Sequence, residues 1–205
     1  MNTIRFLPRL IALLATIVLV PLAAEAEAPA DAHWVPLFNG TDLSGWVPVN
    51  GVTCVVTNGN LRIVSGTGWL CTEKQYADFI FEAEWRALVP SYDSGIYFRA
   101  GREGKPWPNW WQVNLKDSSL GALVKGYKTV VPAETPRMPL NKWVKFRLEV
   151  RGKKITLDVD GERAWEFSEL DVDRGHIGLQ IENRSFDFRN LRIQELSADA
   201  KPALK

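Results

Sequence analysis

The chain has 205 residues, with 25 basic and 24 acidic side chains and a formal charge of +1, a balance that makes nucleic acid and anionic membrane surfaces poor partners. Such a length suits one sizeable core and is short for two. Only two cysteines and two histidines occur, and nothing resembles a paired CxxC metal or redox signature.

At the amino terminus Arg5 and Arg9 precede an apolar run from Leu10 to Leu22, followed by Ala23-Ala24-Glu25-Ala26. This predicts a signal peptide over residues 1–26, cleaved after Ala26. The run is shorter than the roughly 20 apolar residues of a membrane-spanning helix, and no later stretch approaches that length. The expectation is therefore a protein with no membrane span, periplasmic or extracellular after cleavage. Removing Arg5, Arg9 and Glu25 takes the 25 basic and 24 acidic residues to 23 of each, a mature charge of about zero. Residues 27–33, with an Ala/Pro-rich joint, read as a linker. Residues 34–196 read as one domain, and residues 197–205 as a flexible tail.

Within the domain, short alternating runs are punctuated by Gly, Asn, Asp and Pro, the pattern of an all-β protein. Cys54 and Cys71 fall in segments that look like neighbouring strands, so a Cys54–Cys71 disulfide is expected in an oxidising compartment. The alternative is two buried thiols acting as small apolar groups. Phe79, Phe81, Ala83 and Trp85 alternate with Ile80, Glu82, Glu84 and Arg86. Val144, Phe146, Leu148 and Val150 likewise oppose Trp143, Lys145, Arg147 and Glu149, and Ile155, Leu157 and Val159 oppose Thr156 and Asp158. Arg151-Gly152-Lys153 and Asp160-Gly161 predict tight hairpins joining three consecutive strands. No capped helical period appears after the leader, so antiparallel pairing follows. The fold class expected is all-β: a two-sheet antiparallel β-sandwich or jelly roll. Long loops are predicted from Ala100 to Asn109 and from Val131 to Pro139, and such loops often border a site.

Opposite the apolar rows, the strands collect Glu82 and Glu84, Tyr97 and Arg99, Gln112 and Asn114, and Gln180 and Glu182. If the strands are neighbours these form one polar patch. Planar amides, carboxylates and Arg supply the paired donors and acceptors that fit vicinal sugar hydroxyls. The alternative is the ordinary solvated outer face of a sandwich. Trp107 and Trp110, beside the strand bearing Gln112, offer aromatic faces for stacking on sugar C–H groups, whereas Trp111 alternates with Gln112 and belongs to the core. Lys125 and Lys128, flanking Gly126-Tyr127, could reach the same site. His33 and His176 lack metal-ligand spacing and read as structural or solvated.

Trp34-Val35-Pro36-Leu37-Phe38-Asn39-Gly40-Thr41-Asp42-Leu43-Ser44-Gly45-Trp46 resembles the opening signature of the 3-keto-disaccharide hydrolase-like family. Further segments agree in order: Gly68-Trp69-Leu70-Cys71-Thr72, Tyr76-Ala77-Asp78-Phe79, Ser94-Gly95-Ile96-Tyr97-Phe98-Arg99, Gly178-Leu179-Gln180 and Phe188-Arg189-Asn190-Leu191-Arg192-Ile193. The resemblance spans about Trp34 to Leu196. It implies a concanavalin A-like sandwich and an activity on glycosides oxidised at sugar carbon 3. Family members usually carry Glu-x-Gln where this chain has Gln112-Val113-Asn114, and often a His where it reads Ile181-Glu182-Asn183.

For a 3-keto-glycoside the ketone acidifies the hydrogen on carbon 2 and permits loss of the carbon 1 substituent, after which water adds. A base and an oxyanion stabiliser suffice. On this hypothesis Glu84 or Glu182 removes the proton and Arg99 stabilises the enolate. Tyr97, Gln112, Asn114, Gln180, Trp107, Trp110 and Lys125 bind the substrate. A divalent cation such as calcium would suit the carboxylate-and-amide patch, although spacing along separate strands defines no coordination shell. The alternative from another class is a non-catalytic, lectin-like carbohydrate-binding module, which Gln112, Asn114 and Asn183 favour.

Overall fold

The structure is a computed structural model and describes residues 33–104, 109–133, 138–182 and 184–197. The expected signal peptide, almost all of the linker and tail, Trp107 and Asn183 lie outside the described residues. No helix among the described residues is long and apolar enough to cross a membrane.

Fourteen strands follow one another: β1 (Val35–Pro36), β2 (Trp46–Val49), β3 (Val52–Thr57), β4 (Asn60–Thr72), β5 (Phe79–Ala87), β6 (Gly95–Ala100) and β7 (Trp111–Asn114), then β8 (Leu123–Lys125), β9 (Lys128–Val131), β10 (Val144–Arg151), β11 (Lys154–Val159), β12 (Glu162–Phe167), β13 (His176–Glu182) and β14 (Phe186–Glu195). The period-2 pattern explains the best-defined of them. In β5, Phe79, Phe81, Ala83 and Trp85 are buried in the common core while Glu84 and Arg86 face the other way. β10 buries Val144, Phe146, Leu148 and Val150 in the same manner. The predicted hairpins form: β10 pairs with β11 and β11 with β12, both antiparallel. Asp160 and Gly161 both take positive φ (51° and 90°), as a two-residue hairpin turn of this hand requires.

All strand pairings are antiparallel and follow one hydrogen-bonded order, β12-β11-β10-β5-β14-β4-β13-β6-β7-β8-β9, with β1 on β14 and β2 and β3 on β4. The strands thus form one hydrogen-bonded sheet with two halves sharing β4. The first part of β4 pairs with β3 and β14, and the last part with β2 and β13. The passage between halves occurs at Gly66, which has φ of 113° and sits so close to Gly51 and Val52 that a Cβ would lie 2.4 Å from the Gly51 carbonyl oxygen. Only glycine fits such a corner. Side chains from both halves, Phe81 and Leu148 from one and Leu70, Ile96 and Leu179 from the other, form a single core cluster.

The course of β4 also overturns the expected disulfide. Cys54 pairs with Ile63 and Cys71 with Gly178 and Val47, eight residues further along β4. That separation is about 26 Å along a strand, far beyond the roughly 4.4–6.8 Å between Cα atoms that a disulfide allows. Both thiols are free. Burial pushes the Cys54 thiol up to about 12, and Cys71 upward as well.

Candidate functional site

The side of the β4–β13–β6–β7 half turned away from the core carries the sequence-predicted polar patch. In β13, Ile177, Leu179 and Ile181 enter the core, which leaves His176, Gly178, Gln180 and Glu182 on the opposite face. Register then aligns the neighbours. Gly178 lies between Cys71 and Tyr97, Tyr97 pairs with Gln112, Gln180 pairs with Trp69, and Gly95 pairs with Asn114. The two glycines leave gaps that larger side chains fill. The Trp69 ring covers Gly178, where a Cβ would meet it at 2.1 Å, and the Gln112 amide covers Gly95.

A hydrogen-bonded row results. Gln112 Nε2 donates to Gln180 Oε1 at 2.5 Å and to the Ser94 carbonyl at 3.3 Å. Gln180 Nε2 donates to Glu182 Oε1 at 3.2 Å, and Asn114 Nδ2 to Ser119 Oγ at 2.9 Å. Glu182 and Asn114 are the half-exposed ends, whereas Gln112 and Gln180 are buried. Beside this row stands a compact cluster of Trp69, Cys71, Tyr97 and Ala100, with Val49 and Trp110 packed on it. Trp69 and Tyr97 meet edge to face, ring centroids 5.8 Å apart. Within that cluster Tyr97 Oη, Trp69 Nε1 and Trp110 Nε1 are buried with no hydrogen-bond partner, and so is Nε of the adjoining Arg102. Buried polar groups are rarely left unpaired, so four in one place set this cluster apart and make it the candidate site. Burial, and then the negative charges of Glu182 and Asp93, push the Tyr97 phenol well above its ordinary pKa, so it stays protonated.

The structure does not bring the three proposed catalytic residues together. Glu84 is on the outer face of the other half, held by Arg189 Nε (2.7 Å) and Asn190 Nδ2 (2.6 Å). It borders a groove of about 580 Å³ formed with Glu82, Lys145, Arg192, Phe38 and Asn39. The core cluster separates it from Glu182, a distance of more than about 10 Å given the spacing of packed sheet faces. Arg99 misses the polar face for a local reason. It occupies a bulge at the β6–β13 register shift, with φ of 48°, and such an extra residue re-aims a side chain. Arg99 is 1% exposed. It donates to the Ala77, Gly152 and Val172 carbonyls at 2.6–2.8 Å and to Asp78 Oδ1 at 2.8 Å. Lys125 pairs across the strands with Trp111, not Gln112, and forms an ion pair with Asp171. It too faces away from the row. Trp111 is a core residue, as its alternation predicts, with Nε1 donating to Asp171.

Sequence reasoning missed Trp69 and Arg102. The run Gly68-Trp69-Leu70-Cys71-Thr72 is apolar on both faces, so alternation alone could not place Trp69 opposite the core. Arg102 sits in the predicted loop after β6 and donates from Nη2 to the Thr72 and Glu73 carbonyls at 2.9 and 3.1 Å. His176 is buried, its Nδ1 2.8 Å from the Thr72 carbonyl oxygen and its Nε2 3.2 Å from Gln75 Nε2. Burial lowers its pKa.

A calcium shell needs six to eight oxygen ligands. Here Glu182 is the row's single carboxylate, and the amide oxygens of Gln180 and Asn114 already face Gln112 Nε2. Among the described residues no three His, Cys, Asp or Glu side chains converge as a metal site. The residues do not fit that cation.

Comparison with known proteins agrees with this architecture. A levanase of Bacillus sp. (strain L7) is 25% identical over 174 residues, covering 78% of this chain; the match spans 18% of the levanase's own length. A candidate glycosyl hydrolase from Parabacteroides distasonis superposes with a TM-score of 0.69 at 19% identity, over 80% of this chain and 94% of the other. The carbohydrate-binding module CBM66 from Bacillus subtilis does so with a TM-score of 0.64 at 16% identity, over 74% and 96%. At such identities these two likenesses speak for the fold alone. The family model described as a 3-keto-alpha-glucoside-1,2-lyase-like domain matches residues 33–194, and the chain belongs to that family.

Proposed function

We propose that this chain is an exported carbohydrate-active enzyme that cleaves 3-keto-glycosides by elimination followed by hydration, with its site on the Gln112–Gln180–Glu182 face. The leading amino-terminal segment supports export, and family membership supports the substrate class. The observation that carries the location is the buried, unpartnered Tyr97 hydroxyl beside a carboxylate, Glu182, whose charge it senses.

In this reading Glu182 takes the proton from carbon 2 of the keto sugar. The electron pair moves onto the carbon 3 oxygen as an enolate, then returns to expel the carbon 1 substituent, which leaves as an alcohol with the proton that Glu182 took. Water adds to the resulting unsaturated ketone. Tyr97, kept as a neutral phenol, donates a hydrogen bond to the enolate oxygen, the role the sequence alone gave to Arg99. Gln112 and Gln180 fix the sugar, and their mutual hydrogen bond sets the orientation of both amides. Asn114 and Trp110 border the same face. Glu182→Gln and Tyr97→Phe should each lower turnover of a 3-keto-disaccharide by about 100-fold or more, with Glu84→Gln unchanged. Loss of activity in Glu84→Gln alone would move the site to the opposite face.

A second reading is a non-catalytic carbohydrate-binding module. The similarity to CBM66 and the amides Gln112 and Asn114 at the family's usual Glu-x-Gln position favour it. Saturable sugar binding by the wild type without turnover of any 3-keto-glycoside would select it.

A further inference from the structure

The unpartnered groups beside Gln180 have a chemical bias. Three of the four, Trp69 Nε1, Trp110 Nε1 and Arg102 Nε, are donors with no accepting capacity, and the fourth is the Tyr97 hydroxyl. They belong to one place: Trp110 packs on the cluster that contains Trp69 and Cys71, and the Arg102 guanidinium lies beside the Cys71 thiol, where it opposes the upward push of burial. Arg102 is also uncompensated. Its hydrogen bonds run to two backbone carbonyls and the neutral Cys71 thiol, and among the described residues it forms no ion pair with a carboxylate. The site's carboxylate stands at the other end of the face. Glu182 pairs with Thr67, whereas Cys71 pairs with Gly178, a separation of four residues or about 13 Å along the strands. The face is therefore polarised, with a cationic, donor-rich corner at Trp69–Trp110–Arg102 and an acidic end at Glu182.

A sugar hydroxyl or a water donates as well as accepts and leaves such a corner half-matched. An anionic oxygen group accepts only, and hydrogen bonds to it from a guanidinium are the strong, charge-assisted kind. We infer that the Trp69–Trp110–Arg102 corner recognises an anionic substituent of the carbohydrate, a carboxylate or a sulfate ester, so that the ligand is an acidic rather than a neutral sugar. This rests on the proposed reading of the face as a carbohydrate site.

The test is calorimetric titration of the full chain with methyl glucuronide, methyl glucoside and glucose 6-sulfate, repeated for Trp69→Phe and Arg102→Gln, with Arg102→Lys as the charge-retaining variant. Thermal melts identify the variants that fold. The expected result is that an acidic ligand binds at least about tenfold more tightly than the glucoside. The tighter of the two acids identifies the anionic group. Trp69→Phe, which keeps the ring and removes the N–H, and Arg102→Gln should abolish that preference, and Arg102→Lys should retain part of it. Equal binding of all three ligands by the wild type would overturn the inference and leave the carbohydrate reading standing. Acid preference without turnover of any 3-keto-glycoside would do the reverse, sustaining the inference while removing the enzyme. Failure of every sugar to bind would remove both.

Discussion

The two outward faces of this sheet are both polar and read alike in the sequence, yet they differ in how their polar atoms are satisfied. On the face that carries Glu84, Asp187 is fully buried and receives hydrogen bonds from both Arg62 and Arg86 at 2.7–3.0 Å. Burial pushes the Glu82 carboxyl up, but Arg192 and Lys145 hold it below the usual carboxylate range. The Trp143 ring lies between the guanidiniums of Arg86 and Arg189, at 4.5 and 4.1 Å. Thr156 is the one buried side chain on that face, among the described residues, recorded without a partner. On the face that carries Glu182, the buried Tyr97 hydroxyl, two indole N–H groups and the Nε of Arg102 stand unpaired together. Alternation of polar and apolar residues cannot separate these two faces; hydrogen-bond saturation can.

The sharpest way to break this contrast is Arg99→Ala. Removing Arg99 leaves Asp78 and three carbonyls without their cationic donor, and breaking such a buried pair costs about 3–5 kcal/mol. Urea unfolding should show that loss, while the folded fraction still binds sugar. A variant of near-wild-type stability that had lost turnover would restore Arg99 to the catalytic role its residue type suggests. Next in size is Gly178→Ala. The new Cβ drives into the Trp69 ring, a clash worth about 1–3 kcal/mol. Because Trp69 must move, sugar binding should fall along with stability, and the near-ultraviolet circular dichroism of the tryptophans should change. Glu84→Gln is the smaller counterpart on the saturated face. A partly exposed ion pair with Arg189 is weakened, at a cost under about 1 kcal/mol, and binding on the opposite face should be untouched.

How far the sequence carries depends on whether a feature follows from period or from a single residue. The inward rows of β5, β10 and β11, their hairpins and the outward direction of Tyr97, Gln112, Asn114, Gln180 and Glu182 follow from alternation, whereas the adjacency of the strands that carry those five residues comes from pairing. The bulge at Arg99 adds one residue to that count and reverses the expected direction of its side chain. A period cannot announce its own interruption, and Arg99 has no glycine or proline beside it to signal one. The Cys54–Cys71 pairing fails for a related reason: β4 is 13 residues long and serves both halves, so segments close in sequence pair at opposite ends of one strand. Trp69 enters the site because Gly178, more than a hundred residues later, leaves room for its ring. That is information held by a strand pairing rather than by either segment.

The smallest expected effect concerns His176, at the cationic end of the polar face. Its ring is buried between the Thr72 carbonyl and Gln75, with Arg102 as the nearby positive charge, and its folded pKa lies below the ordinary 6.5. The unfolded chain then takes up a proton before the native protein does. Stability is complete above about pH 6.5, falls as acid is added through the window down to the depressed native pKa, and levels off below it. Buried carboxylates such as Asp187, also depressed by their arginines, lose their contribution only as pH falls below the ordinary carboxylate value of 3.8, so the two windows separate. Thermal melts between pH 5 and 8 should therefore show a melting temperature that drops on acidification in the wild type and much less in His176→Asn, which still offers an N–H to Thr72. Parallel slopes would mean that His176 titrates alike in both states, and that the positive field assigned to the Arg102 corner does not reach it.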